Sequence, residues 1–172
     1  MAYFLYNGKR VYYTEMGSGR PLLLLHGNTA SSNLFGGVAG QFATAHKVVL
    51  IDFLGHGRSD RLERFPADLW YEEAMQVVAF LQARQYESAD IIGSSGGALV
   101  AINAALEAPE RIGRVIADSF EGERALPAFT ENMAADRAQS KRDPGAVLFY
   151  KAMQGEDWET VVDNDTDAVI RH

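Results

Sequence analysis

The feature that most restricts the fold of this chain is a run of five small residues, Gly93-Ser94-Ser95-Gly96-Gly97. A short apolar stretch, Ala89 to Ile92, leads into it, and the small-residue stretch Ala98 to Leu106 leads out. An apolar run followed by a turn and then helical spacing reads as a buried strand bending sharply into a helix. Such a bend brings backbone close to neighbouring elements, which is why glycine is needed on both sides. Ser95 stands at the bend. Its hydroxyl is exposed there, and the helix N-terminus behind it offers unpaired N–H groups to a developing negative charge. The competing reading is a Ser/Gly-rich turn with no chemistry.

The rest of the first 120 residues repeats the same grammar. Tyr3 to Tyr6 and Arg10 to Met16 are β-rich runs joined by Asn7-Gly8, a two-residue hairpin signal. Pro21 to Leu25 is a continuous apolar run, as expected of a strand covered on both faces. The spacing predicts a helix over Asn33 to Ala45, a strand over Val48 to Ile51, a helix over Asp68 to Arg84 and a strand over Arg114 to Ala117. Alternating strands and helices imply an α/β fold: a mostly parallel sheet with helices on both faces, preceded by an antiparallel hairpin. After about residue 120 the pattern changes. Pro127 to Arg137, Pro144 to Met153 and Trp158 to Arg171 read as helices without a strand between them, so the expected division is 1–120 and 121–172.

Two further segments flank strand ends. His26-Gly27-Asn28 follows the apolar run 21–25, and a loop there can aim a backbone N–H toward the same place as the N–H of Gly96. His26 itself reads as a buried packing residue. In Asp52-Phe53-Leu54-Gly55-His56-Gly57-Arg58-Ser59-Asp60 the glycines permit tight turns and the polar groups bond the loop internally, so His56 is a poor candidate base.

These three signals in this order, LLLLHGN, DFLGHGRSD and GSSGGALVAINAALEAPERI, resemble the α/β-hydrolase-fold superfamily, specifically its serine hydrolases, over residues 1 to about 120. The resemblance implies an eight-stranded sheet of which six strands are present, with truncation after the sixth. It implies Ser95 as the nucleophile, the backbone N–H groups of Asn28 and Gly96 as the oxyanion hole, and residues 121–172 as an incomplete helical lid. A serine at the bend favours esterase-like chemistry on an ester or related acyl bond, through an acyl-enzyme on Ser95. The expected partner is a small-molecule acyl substrate, with no organic cofactor and no metal.

Family order places an acid and then a histidine after the serine. Asp118, at the end of the sixth strand, is the candidate acid, with the alternative of a helix cap or turn residue; Glu121 is a weaker candidate. The only histidine after Ser95 is the terminal His172, on a helix end poorly suited to an oriented base. The chain alone is therefore expected to be inactive. The strand around 114–117 would be an uncovered edge, which implies either a piece of a longer hydrolase or a second chain completing the sheet, as a homo-oligomer or a complementing C-terminal fragment. The alternative function is a non-catalytic relative that binds a ligand or partner in the same pocket.

Composition narrows the classes. A formal net charge of −7 argues against nucleic acid as a partner. No apolar run reaches membrane-spanning length, no secretory leader is visible, and with no cysteine a cytoplasmic location is the default expectation. Asp163-Asn164-Asp165-Thr166-Asp167 echoes the start of a calcium loop, but Ala168 stands where that loop requires glycine, and a solvated acidic helix start is the expectation.

Overall fold

In the computed structural model, residues 2–120, 122, 124 and 126–172 are described. Asn7 (φ 49°) and Gly8 (φ 77°) both take the left-handed conformation that a tight two-residue hairpin requires. They join β1 (Ala2–Tyr6) to β2 (Lys9–Met16), and the pair is antiparallel with Tyr6 opposite Lys9. The apolar run forms β3 (Pro21–Leu25), with its last four residues buried.

The helix expected over 33–45 is broken. A 3-10 turn at Ser32–Phe35 and a single turn α1 (Ala39–Phe42) replace it. Gly36 and Gly37 separate them, since glycine costs about 1 kcal/mol in a helix interior. The remaining elements follow the expected order: β4 (Lys47–Asp52), α2 (Leu69–Ala83), β5 (Ala89–Ser94), α3 (Gly96–Glu107) and β6 (Ile112–Asp118).

The six strands form one sheet in the order β1-β2-β4-β3-β5-β6. β2 pairs antiparallel with β4, while β3 pairs parallel with both β4 and β5, and β5 parallel with β6. A parallel sheet places the ends of β3 and β5 side by side, and those ends carry the two glycine-rich loops. The main core runs through Leu23, Leu25, Val49, Ile51, Val77, Phe80, Ile91, Val100 and Ala104, between sheet and helices α2 and α3. A second cluster, around Leu22, Leu24, Phe35, Val48 and Leu50, lies on the opposite face.

Past β6 come α4 (Pro127–Ser140), α5 (Pro144–Gln154) and α6 (Trp158–Arg171). α6 is amphipathic: Trp158, Val161, Val162, Asp165, Thr166, Ala168 and Val169 are buried, at the three- and four-residue spacing of one helix face. Asp165 is therefore inside, and the acidic stretch 163–167 lies in the interior of α6. This corrects the expectation of a solvated helix start, because tertiary packing on one face decides which of the three aspartates reach water. β6 is a sheet edge, and along it Ile116 is 57% exposed. Among the described residues, no helix is long and apolar enough to cross a membrane.

Candidate active site

Ser95 joins β5 to α3 with φ 56° and ψ −125°, a conformation rarely adopted by residues other than glycine. Strain of this kind costs roughly 1–3 kcal/mol and persists only where the surroundings hold it. Here the Ser95 N–H donates to Asp118 O at 2.8 Å, and Ser95 O accepts from the Ala98 N–H at 2.9 Å. The serine side chain is exposed.

The bend is held as much by missing side chains as by bonds. A Cβ on Gly93 would lie 2.0 Å from Gly97 O, and one on Gly97 2.3 Å from Leu25 O. One on Gly27 would lie 2.7 Å from Ser94 O and 2.8 Å from Ser95 Cβ. The two loops thus cross at backbone contact distance, which no side chain permits.

A cavity of about 340 Å³ opens over the bend, lined by Asn28, Thr29, Trp70, Ser95, Gly96, Leu99, Ser119, Phe120, Phe129, Met133, Arg137 and Val169 among others. Ser95, Asn28 and Gly96, which the sequence singles out, therefore share one pocket. Gly96 is the first residue of α3, where N–H groups have no intrahelical partner. A Cβ there would meet Asn28 Oδ1 at 2.3 Å and Trp70 Nε1 at 2.5 Å, so the Asn28 and Trp70 side chains occupy the space beside it.

The loop after β3 is shaped by groups far away in sequence. Thr29 takes φ 58°, which is strained for a β-branched residue. Asp165 Oδ2 accepts from Asn28 Nδ2 at 2.8 Å and from the Thr29 N–H at 3.2 Å. The Trp70 indole N–H donates to Asn28 Oδ1 at 3.1 Å. Arg137 Nη1 donates to Thr29 Oγ1 at 3.3 Å and to Tyr150 OH at 3.1 Å.

Beneath this loop lies a buried titratable cluster. The Phe53 N–H donates to His26 Nε2 at 3.2 Å, and His26 Nδ1 sits 3.0 Å from Gly27 O. These partners fit a neutral ring protonated at Nδ1. Burial, followed by the neighbouring His56, pushes the His26 pKa down to about 4. His56 stacks on Phe65, with Nδ1 3.5 Å from Glu73 Oε1 and Nε2 3.7 Å from Asp165 Oδ2. Burial raises the Glu73 carboxyl well above the usual carboxylate range, and the Asp165 charge adds to this. Both histidines are 1% exposed. Their positions agree with packing roles at the strand ends.

The segment 52–60 bonds to itself and its neighbours as expected. Asp52 accepts from the N–H groups of Ser32 (2.7 Å) and Arg58 (2.8 Å), and the Ser59 hydroxyl donates to Asp52 O. Gly57 (φ 52°) passes so close to the Asp52 carboxylate that a Cβ would lie 2.2 Å from Oδ2.

Asp118 ends β6 with its side chain exposed, and its carboxylate accepts from the Ser119 hydroxyl at 2.9 Å. Its backbone, through Ser95, is what reaches the bend. Glu121 lies outside the described residues. His172 sets its ring against Trp70, with centroids 4.8 Å apart, and Nδ1 lies 3.1 Å from Ala67 O. No histidine is among the described residues lining the cavity.

Trp70, Arg137 and Asp165 are the site residues that motif reading missed. One signal for Asp165 is in the sequence: a carboxylate three and four residues after Val162 and Val161, on the apolar stripe of a helix.

Comparison with known proteins agrees with this geometry. Residues 20–161 match the family model of the alpha/beta hydrolase fold. The 2-hydroxymuconate semialdehyde hydrolase of Pseudomonas sp. (strain CF600) is 31% identical over 114 residues, 63% of this chain and 39% of that protein. The enzyme of the same name from Pseudomonas putida is 34% identical over 114 residues, with the same shares. The matched part thus spans about two fifths of the length of these relatives. Among solved structures, the enol-lactonase from Burkholderia xenovorans LB400 superposes with a TM-score of 0.78 at 16% identity, covering 98% of this chain and 73% of that one. With the serine bend, the crossing glycine loops and the strand order all in place, the chain belongs to the α/β-hydrolase-fold family.

Proposed function

We propose that this chain carries the nucleophile and oxyanion half of a serine hydrolase acting on an ester or related acyl bond, with Ser95 forming an acyl-enzyme. The observation that carries the reading is the exposed Ser95 hydroxyl, held at φ 56° on the floor of a cavity of about 340 Å³. The Ser95 oxygen attacks the acyl carbon, and the carbonyl oxygen becomes an oxyanion facing the N–H groups of Asn28 and Gly96. Such a donor is worth about 3 kcal/mol of transition-state stabilisation. The alcohol or other leaving group departs, and water then releases the acid from Ser95.

An alcohol needs a base to take its proton. By family order that base is a histidine following the acid, and the proposal assigns it to sequence outside the 172 residues, as the greater length of the relatives supports. Asp118 would be the acid that orients it. The α4–α6 segment would be the lid, with Phe120, Phe129 and Met133 as apolar walls. The β6 edge, with Ile116 half-exposed, would be covered by that additional sequence or by a second copy. The names of the relatives bring enol lactones and 2-hydroxymuconate semialdehyde into the range of substrates to try.

Labelling with a fluorophosphonate tests the reading. Wild-type full-length protein should be covalently labelled and Ser95→Ala should not. Equal labelling of both, or of neither, would sink it. A second reading, ligand binding without catalysis, draws support from the absence of histidine among the described cavity residues.

A further inference from the structure

We propose that Asp165 is a positioning residue for the oxyanion site: from helix α6 it fixes the loop after β3, so the site is complete only when α6 is docked. The inference rests on the function proposed above.

Four observations converge. Asp165 is fully buried, and a carboxylate in such a place must be paired or hydrogen-bonded. Its Oδ2 makes its two hydrogen bonds to one loop, to the Asn28 side chain at 2.8 Å and to the Thr29 N–H at 3.2 Å. That loop holds a strained threonine, φ 58°, which needs an outside agent to keep it there. Finally, Asn28 is oriented from the other side by the Trp70 indole N–H at 3.1 Å, forming a chain Asp165–Asn28–Trp70 across the top of Gly96.

The direction of each bond matters. Asn28 has one acceptor and one amide group of donors. Trp70 can only donate, so it claims the oxygen; Asp165, when ionised, can only accept, so it claims the amide. The side chain is thereby held in one of its two flips, and the bond from the Thr29 N–H to the same carboxylate ties down the backbone that follows it. Bonds to an ionised acceptor are roughly twice as strong as neutral ones.

The remaining neighbours of Asp165 do not compete for this role. His56 Nε2 is 3.7 Å and Arg137 Nη2 3.9 Å away, both beyond hydrogen-bond reach, and Oδ1 makes no hydrogen bond. The carboxylate is thus retained without full satisfaction. Its loss would leave the Asn28 amide and the Thr29 N–H without their acceptor.

The test uses the full-length protein with Asp165→Asn, which matches aspartate in volume, and Asp165→Leu, which is larger and removes both acceptor oxygens. Misplacing a reacting group by about 1 Å costs on the order of 100-fold in rate. The expected result is therefore a kcat lower by about 100-fold for Asp165→Leu and about 10-fold for Asp165→Asn, which keeps one acceptor oxygen. KM should move less than about threefold in both, because a contact to the developing oxyanion is realised in the transition state rather than in the bound substrate. In parallel, the Trp70 indole N–H signal should shift in both variants by nuclear magnetic resonance, while that of Trp158, stacked on Tyr150, stays in place.

Unchanged kcat in a folded Asp165→Asn and Asp165→Leu pair would overturn the proposal. So would a loss confined to KM. If Asp165→Leu fails to fold, Asp165→Asn alone decides by the same two readouts. A wild-type protein with no hydrolase activity would instead refute the proposed function, and the Trp70 signal would then settle the positioning role by itself.

Discussion

The Ser95 bend and the α4–α6 segment hold their shapes by opposite means. At the bend, specificity comes from what is left out: Gly27, Gly93 and Gly97 let three backbone segments touch, and few polar side chains intervene. The helical segment attaches through what is put in. Asp165 reaches the β3 loop, Gln154 donates to Ala30 O at 2.7 Å and accepts from the Gly57 N–H, and Arg61 pairs with Asp157. Backbone crossings tolerate almost no adjustment, whereas side-chain attachments can be broken one at a time. The first kind builds a rigid floor, the second an attachment that can be tuned.

The contrast is sharpest in glycine replacements. Gly93→Ala and Gly97→Ala should each destabilise by more than about 3 kcal/mol or abolish folding, since backbone rather than a movable side chain blocks the new methyl. Gly145→Ala in α5 meets only the Asp143 side chain, at 3.2 Å, and should change stability by less than about 1 kcal/mol. Urea denaturation of the three variants checks both halves. If all three fall together, the distinction between floor and attachment is wrong.

The pH dependence separates the cluster beneath the loop from both. His26 is held neutral, so the unfolded chain binds its proton first as pH falls from about 6.5 toward 4. Stability should be fully present above that window and decline through it, by on the order of 3 kcal/mol at the acid end. Glu73 works in the other direction. Its raised pKa means the folded state keeps its proton longer, so stability is lost as pH rises above the unfolded carboxylate value. Glu73→Gln should therefore raise the melting temperature at pH 8 and do nothing at pH 4. A uniform shift at both pH values would show that packing, rather than charge, governs that site.

The smallest effect is expected at the exposed bridges where Asp167 on α6 meets Arg64 and Arg171. Asp167→Asn should shift the denaturation midpoint by no more than the equivalent of about 0.5 kcal/mol, because water and salt already screen both contacts. A measurable loss would mean that α6 depends on surface charge as well as on its buried face.

Much of this was legible in the residues alone. The bend, the hairpin, the β3 run and the bounds of α6 follow from glycine placement and apolar spacing, signals that act over a few residues. Ser95, Asn28 and Gly96 could be named because each sits at a strand or helix end marked by glycine. The tandem Gly36-Gly37 interrupts the apolar spacing around it, and two short turns stand where that spacing predicts one helix. Asp165, Trp70 and Arg137 lie beyond such reading: Asp165 meets Asn28 across 137 positions, and only the packed structure says which face of α6 turns inward.

The glycine crossing also limits where selectivity can change. Around Gly27, Gly93 and Gly97 there is no room for even a methyl group, so the ground under Ser95 offers no foothold for tailoring a substrate. If the proposed chemistry holds, adaptation to a different acyl group has to come from the walls contributed by Leu99, Phe120, Phe129 and Met133. A library aimed at those four positions should yield altered preferences, and one aimed at the crossing should yield mostly insoluble protein.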